Sequence, residues 1–147
     1  MAEGLLPVGS EAPVFAAETT EGERISLPDF RGRQAVLLMF YPEDDTPGCT
    51  RQMCAARDEG DAYRQAGIAR FGVNPGSRES HVAFQEKYEL DFPLIVDQDA
   101  EIASAYGVLA EEGGVRRATY VIGRDGRIAY AEPGAHGAEE ILGALGG

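Results

Sequence analysis

The chain has 147 residues, enough for one domain with a sizeable hydrophobic core, which we expect to span residues 1–147. Its 13 basic and 25 acidic residues give a net charge of −12, which argues against nucleic acids and anionic membranes as partners, because both bind basic surfaces. The 2 cysteines are too few for a disulfide scaffold.

The N-terminal part of the chain predicts a small hairpin followed by a buried strand. Short apolar pieces at residues 13–15 and 25–27 flank a polar turn at residues 21–23, a pattern typical of a hairpin. An unbroken apolar run then predicts a strand near residues 34–41 that is buried on both faces. Pro42 ends this strand.

A helix is predicted directly after this strand. Thr46 is suited to cap a helix and Pro47 to occupy its first position. We expect this helix to continue to about Ala66 and to end at Gly67, with Met53 on its inward face. Cys49 then lies in the first helical turn.

The rest of the chain alternates between strand and helix and closes with a hairpin and a helix. This order predicts an α/β sandwich of the thioredoxin type, a central mixed β-sheet flanked by helices, with an N-terminal β-hairpin. The remaining predicted strands are residues 68–73, 94–96, 118–122 and 127–130, and the remaining helices are residues 78–89, 99–106 and 137–145.

The position of Cys49 favours a reactive thiol. In the first turn of a helix the backbone N–H groups are unpaired and the helix dipole favours an anion. Both effects stabilise a thiolate, which is the reactive form of cysteine. Cys54 follows five residues later. On this spacing alone, two buried structural cysteines on a helix are the favoured interpretation, and only the surrounding residues reverse it.

Those surrounding residues form a recognisable motif. Pro42, Thr46 and Cys49 follow the pattern of Pro, three residues, Thr or Ser, two residues, Cys, which resembles the active site of the peroxiredoxins. The core Thr46-Pro47-Gly48-Cys49-Thr50, with Cys54 five positions on, looks like the Q-type, or bacterioferritin-comigratory, subfamily. The resemblance continues through residues 72–108 and implies the thioredoxin-like fold.

The resemblance also implies an activity. It indicates a thiol-dependent peroxidase of antioxidant defence that reduces hydrogen peroxide and alkyl hydroperoxides. Cys49 would become a sulfenic acid and Cys54 would condense with it to an intramolecular disulfide. A thioredoxin-like reductant would then recycle that disulfide by exchange. No cofactor or metal is implied.

Three further site residues follow from the resemblance. Thr46 would contact the peroxide, and Arg117, placed before a strand, would contact the thiolate. Arg116 competes for this role, but the spacing to Thr119 favours Arg117. Pro42 would shield the sulfur from solvent. Without the resemblance these residues would be a helix cap, a surface charge and a strand terminator.

Several other polar residues lie near the motif. Gln52 departs from the pattern, because many members of the resembling family carry Glu at this position. Asp44 and Asp45 are interpreted as solvated loop acids and not as an acid–base pair. His81 is expected to pack or hydrogen-bond on a helix, and His136 to lie at an exposed helix start.

Two alternative functions remain open. The chain could be a thiol-disulfide exchange or redox-sensing module that uses the same cysteines and reacts slowly with peroxide. It could also be a zinc-stabilised binding domain. The ligand count would suit zinc, but the spacing lacks a paired Cys-x2-Cys or His-x3-His. The four side chains available to such a site are Cys49, Cys54, His81 and His136.

The sequence also suggests where the protein works. Residues 1–15 contain no basic segment followed by a long apolar core, so no secretory signal is visible. No apolar run approaches the roughly 20 residues of a membrane span. Two closely spaced cysteines suit a redox pair in a reducing compartment. We therefore expect a cytoplasmic protein, and its strong acidity favours a monomer.

Overall fold

The computed structural model describes residues 4–146. Its strands are β1 (Ala16–Glu18), β2 (Arg24–Ser26), β3 (Ala35–Phe40), β4 (Ile68–Asn74), β5 (Leu94–Val96), β6 (Ala118–Ile122) and β7 (Ile128–Pro133). Its α-helices are α1 (Pro47–Asp58), α2 (Gly60–Gln65), α3 (Arg78–Lys87), α4 (Glu101–Ala105) and α5 (Ala138–Ala144). Two short 3₁₀ helices cover Leu27–Phe30 and Gln98–Ala100.

The strands form one mixed sheet and one hairpin. The five-stranded sheet has the order β5-β4-β3-β6-β7, and β1 and β2 form a separate antiparallel pair. Strand β3 runs parallel to β4 and antiparallel to β6. This mixed sheet with flanking helices and an N-terminal hairpin confirms the predicted fold class. No helix within residues 4–146 is long and apolar enough to cross a membrane.

Strand β3 lies at the centre of the sheet and is buried on both faces, as predicted. Its residues from Val36 onward, with Tyr41 beyond its end, are at most 4% exposed. Their side chains alternate between two core clusters, Val36, Leu38 and Phe40 in the first and Leu37, Met39 and Tyr41 in the second. The second cluster also contains Cys49 and Met53, so α1 packs on that face of the sheet.

The predicted single helix over residues 47–66 is wrong in one respect, because it is divided in two. Helix α1 ends at Asp58, the next residue, Glu59, has φ of −93° and ψ of 12°, and α2 begins at Gly60. A Cβ atom on Gly60 would lie 3.0 Å from Nη2 of the buried Arg70, so glycine lets the second helix approach this side chain. The predicted stop at Gly67, which has φ of +73°, is confirmed.

Two other elements differ from the expectation. The hairpin strands pair residues 16–18 with 24–26, so the first strand begins three residues later than expected. The helix expected over residues 99–106 begins with a 3₁₀ turn, because Asp99 and Ala100 have φ of 59° and 55°. Helix α4 starts only after this left-handed step, and the Asp97 carboxylate accepts hydrogen bonds from its first turn.

A glycine in β4 generates a stability prediction. A Cβ atom on Gly72 would lie 2.6 Å from Leu94 Cδ2, a side chain that is fully buried. We expect Gly72→Ala to lower the free energy of unfolding by about 1–3 kcal/mol through overpacking, measured by urea denaturation of the reduced protein.

Gly143→Ala is the matched control. No atom lies within 4 Å of its added Cβ, so we expect stability to be unchanged or raised by up to about 1 kcal/mol. Equal stability of the Gly72→Ala variant and the unmodified protein would contradict the packing described here.

Candidate active site

The sheet brings three parts of the chain to one edge: the loop of residues 42–46, called the site loop below, the start of α1, and Arg117. In the antiparallel pairing of β3 with β6, Phe40 lies opposite Ala118. Arg117 is one residue before Ala118 and therefore lies beside the point where β3 enters the site loop. Its carbonyl oxygen accepts a hydrogen bond from Gly134 N at 2.9 Å, which holds the backbone here.

Cys49 occupies the first turn of α1, as predicted. Its side chain is buried, with 1% of the residue exposed, and Arg117 Nη2 lies 3.5 Å from its sulfur. Cys54 lies in the same helix and is half-buried. Both cysteines are free thiols, so the structure describes the reduced protein.

The Arg117 guanidinium bridges Cys49 and Gln52. Its Nη1 donates a hydrogen bond to Gln52 Oε1 at 2.5 Å. None of the ion pairs within residues 4–146 includes Arg117, so no carboxylate there neutralises its charge. Gln52 thus orients the guanidinium without neutralising its positive charge. That charge can therefore stabilise the nearby Cys49 sulfur as a thiolate.

Thr46 occupies the cap position of α1, but its side chain does not cap the helix. Its backbone is extended, with φ of −101° and ψ of 155°, and its hydroxyl makes no cap hydrogen bond. The hydroxyl instead donates to the carbonyl oxygen of Glu43 at 3.0 Å. The predicted side-chain cap is therefore wrong, because the hydroxyl points back into the site loop. With its hydrogen engaged, the hydroxyl oxygen remains available as an acceptor.

Pro42 is the second residue after β3 and is exposed. Its carbonyl oxygen accepts a hydrogen bond from Asn74 Nδ2 at 3.0 Å, and the same nitrogen donates to the carbonyl oxygen of Tyr41 at 2.8 Å. Asn74 is the last residue of β4, so the two neighbouring strands hold the start of the site loop together. The predicted shielding of the sulfur by Pro42 stays a prediction.

The interpretation of Asp44 as a solvated acid is wrong. Its side chain is only 6% exposed. It accepts hydrogen bonds from Tyr41 Oη and Ser80 Oγ, both at 2.7 Å, and lies 2.6 Å from His81 Nδ1. Burial disfavours the charge on this carboxylate, but the hydrogen bonds, that of His81 first, hold the pKa of Asp44 below its ordinary value.

Asp45 is exposed but also bound to α3 and the residue after it. Lys87 Nζ lies 2.8 Å from one carboxylate oxygen, and Tyr88 Oη donates to the other at 2.7 Å. Its backbone has φ of +56°, a left-handed conformation that Asp tolerates better than most residues. The hydrogen bonds, mainly that of Lys87, lower the pKa of Asp45. Asp44 and Asp45 are therefore both paired and are not free charges beside the thiol.

A cavity of about 450 Å³ opens beside the start of α1. Its lining includes Gly48, Gln52, Arg117, Thr119 and His136. His136 Nδ1 pairs with Glu140 at 2.8 Å, and this region leads into α5. Within residues 4–146 no three His, Cys, Asp or Glu side chains are grouped closely enough to hold a metal ion, so the four candidate zinc ligands are not brought together.

Comparison with known proteins settles the family. The model of the AhpC/TSA family matches residues 8–131, more than half of the chain. The chain belongs to this family. A protein of Coxiella burnetii named as peroxiredoxin bcp is 38% identical over 135 residues, which cover 87% of this chain and 89% of the relative. The chloroplastic peroxiredoxin Q of Oryza sativa subsp. japonica is 38% identical over 129 residues, which cover 86% of this chain and 59% of the relative.

Solved structures agree with these relatives. The bacterioferritin comigratory protein of Xanthomonas campestris, whose structures concern its alkyl peroxide reduction activity, superposes with a TM-score of 0.86 at 25% identity. The superposition covers 95% of this chain and 98% of the other. The resemblance to Q-type peroxiredoxins is thus confirmed, and with it the class of enzyme, a peroxiredoxin peroxidase.

The contact of Arg117 with the sulfur generates a prediction about thiol ionisation. We expect Arg117→Ala to reduce the fraction of Cys49 present as thiolate near neutral pH, because a charged donor 3.5 Å from the sulfur is lost. The measurement is the pH dependence of Cys49 alkylation by iodoacetamide in a Cys54→Ser background. The alkylation curve should move to higher pH.

Arg116→Ala provides the matched control. Arg116 is the adjacent residue, carries the same charge and is exposed. Its removal should leave the alkylation curve within experimental error. Equal displacements in the two variants would show that only net charge matters, and would contradict a specific contact of Arg117.

Proposed function

We propose that this peroxiredoxin reduces hydrogen peroxide and alkyl hydroperoxides with Cys49, resolves the product with Cys54 and returns to the dithiol through a thioredoxin-like reductant. The observation that carries the proposal is the buried Cys49 sulfur in the first turn of α1, 3.5 Å from the Arg117 guanidinium. The proposed catalytic domain is the whole chain, residues 1–147.

In the first step the Cys49 thiolate attacks the distal oxygen of the hydroperoxide. A sulfur–oxygen bond forms, the O–O bond breaks, and the alkoxide or hydroxide leaves and takes up a proton. Sulfur loses two electrons and becomes a sulfenic acid, while the peroxide is reduced to an alcohol or to water. The step needs a thiolate, a correctly aligned peroxide and stabilisation of the charge that moves onto the leaving oxygen.

Several groups around Cys49 are suited to these needs. The Arg117 guanidinium can donate both to the sulfur and to the oxygens of a peroxide bound beside it. The Thr46 hydroxyl oxygen can accept a hydrogen bond from the peroxide, because its own hydrogen is donated to the carbonyl oxygen of Glu43. The unpaired N–H groups of the first helical turn supply further donors. Preorganised donors of this kind are typically worth about 10²–10³-fold in rate each.

In the second step the Cys54 thiol attacks the sulfenic sulfur, a disulfide forms and water leaves. The reduced structure does not allow this step directly, because both cysteines lie in the continuous helix α1. Five residues of ideal helix separate two Cα atoms by about 8.7 Å and turn their side chains about 140° apart. A disulfide needs Cα atoms within about 7 Å and facing side chains. The start of α1 must therefore unwind.

In the third step a dithiol reductant of the thioredoxin type exchanges with the disulfide. Two protein thiols are regenerated and the reductant leaves as a disulfide. A disulfide within one chain needs no partner subunit, which supports a monomer. Such reductants are maintained in reducing compartments, and we place the protein in the cytoplasm on this ground.

The cysteine variants test this function. Cys49→Ser should abolish reduction of hydrogen peroxide and of an alkyl hydroperoxide. Cys54→Ser should keep the first fast oxidation, followed by sulfenic acid labelling, but lose turnover with thioredoxin and its reductase. A loss of the fast oxidation in Cys54→Ser but not in Cys49→Ser would reverse the two roles. Slow reaction of the unmodified protein with every peroxide would favour the thiol-disulfide exchange alternative.

The unwinding of α1 generates a second prediction. Amide hydrogen exchange over residues 48–58 should be faster in the disulfide form than in the reduced form. The change should be largest before Ala56, since Arg70 Nη1 donates to the Ala56 carbonyl oxygen at 2.9 Å and Arg57 Nη1 to that of Tyr88 at 2.6 Å. These two contacts hold the end of α1.

Two outcomes would contradict this prediction. Unchanged protection over residues 48–58 would show that the disulfide does not form within an unwound α1. A disulfide-linked dimer as the main oxidised species on a non-reducing gel would show that Cys54 reacts in another chain. Exchange in β3, which is buried on both faces, serves as the internal reference and should be equal in the two forms.

A further inference from the structure

The ring of His81 is fully buried between two hydrogen-bond partners. His81 lies in α3 and has 0% exposure. Its Nε2 is 2.9 Å from the carbonyl oxygen of Asn74, and its Nδ1 is 2.6 Å from Asp44 Oδ2. Asp44 belongs to the site loop and Asn74 ends β4, so the ring joins three elements at the edge of the sheet that carries Cys49.

The partners of His81 determine its protonation. The Asn74 carbonyl oxygen can only accept, so Nε2 must carry a hydrogen. On the other side, both oxygens of Asp44 accept hydrogen bonds from hydroxyl groups, Tyr41 Oη and Ser80 Oγ, which is the arrangement of an ionised carboxylate that also accepts from His81. Nδ1 must then carry a hydrogen as well. The ring is therefore an imidazolium, paired with a carboxylate that is itself almost completely buried.

The same pair determines the position of the site loop. Asp44 Oδ1 accepts a hydrogen bond from Tyr41 Oη, and Oδ2 accepts one from Ser80 Oγ beside His81. The site loop is thus attached to α3 from inside the protein at Asp44. The loop carries Thr46 at its end, directly before the turn that contains Cys49.

We propose that His81 is a positioning residue for the peroxidase reaction, which holds a proton in a buried pair with Asp44 and thereby keeps the site loop in the conformation that presents Thr46 to the peroxide. This proposal rests on the proposed function and deepens it. His81 touches neither the sulfur nor the peroxide and acts only through the position of the loop.

A pH dependence follows from this arrangement. If His81 loses a proton, one of its ring nitrogens presents a lone pair to an acceptor oxygen, and that contact becomes repulsive. The site loop then loosens, and Thr46 loses its place beside the peroxide. The rate of Cys49 oxidation should therefore rise with pH as the thiolate forms and fall again as His81 becomes neutral.

Few other charged groups face this pair. From the site loop there is Asp44 itself, and from the end of β3 there is Tyr41. Burial first, and then Asp44, keep the pKa of Tyr41 well above its ordinary value, so this phenol does not ionise in the relevant range. A further pair, Asp45 with Lys87, joins the same loop to the same helix at the exposed surface. Cys49 lies in the same core cluster as Tyr41.

The protonation state can be measured directly in the unmodified reduced protein. We expect ¹⁵N NMR of the His81 ring at pH 7 to show a directly bound hydrogen on both nitrogens. The resonance is assigned with the His81→Gln variant. A single protonated nitrogen would overturn the proposal.

The kinetic test uses three variants and follows oxidation of Cys49 by hydrogen peroxide from pH 5 to pH 10. We expect His81→Gln to slow oxidation by about 10-fold or more, by analogy with the cost of small misplacements in active sites, and to lack the fall at high pH. Asp44→Asn should keep the fall but move it to lower pH, because the imidazolium loses its counter-charge. Lys87→Gln removes the exposed pair between the same elements and should keep the profile of the unmodified protein.

The outcomes separate this proposal from the function on which it rests. If the unmodified protein oxidises rapidly and its pH profile has the same shape as that of His81→Gln, the proposal is wrong and the peroxidase function stands. If the unmodified protein does not react with peroxides at all, the function itself fails. A purely structural role of His81 would lower stability and rate equally at every pH.

Discussion

The burial of β3 on both faces is the constraint on which the site depends. Covered on both faces, β3 is also a central strand of the sheet, and its two edges pair with β4 in parallel and with β6 in antiparallel orientation. The parallel register brings the end of β4, with Asn74, to the edge where β3 ends. The antiparallel register brings the beginning of β6, preceded by Arg117, to the same edge. Residues distant in sequence therefore meet around Cys49 because of strand pairing alone.

The sequence predicted those features that depend on local signals. Thr46 and Pro47 mark the start of α1, and this placed Cys49 in the first turn correctly. Prediction from the sequence failed where the surroundings of a side chain depend on a partner that is distant along the chain. Asp44 and His81 are 37 residues apart, and nothing near Asp44 in the sequence reveals that α3 covers it. Likewise, Gly60, where the second helix begins, lies against the guanidinium of Arg70, which comes from strand β4 and is not evident from the sequence around Gly60.

The acidic composition of the chain bears on the charge around Cys49. In a chain with a net charge of −12, acids close to Cys49 would disfavour its thiolate. Two of the three acids of the site loop are instead paired internally, Asp44 with His81 and Asp45 with Lys87, and the third, Glu43, is exposed to solvent. The buried pair is the more constraining of the two, because removal of one partner from a buried ion pair typically costs about 3–5 kcal/mol. The exposed pair contributes little by comparison.

Gln52 completes this argument. A glutamate at this position would be within hydrogen-bond distance of Arg117 and would add a negative charge close to the sulfur, so it would both hold the guanidinium and weaken its effect on the thiolate. The amide oxygen of Gln52 keeps the orientation at 2.5 Å without the charge. The amide nitrogen of Gln52 is less well placed, because this buried Nε2 has no hydrogen-bond partner among residues 4–146. Such an unsatisfied donor typically costs about 1–3 kcal/mol. The amide of Gln52 therefore holds the guanidinium without diminishing the positive charge beside Cys49, which is where a thiolate peroxidase needs it.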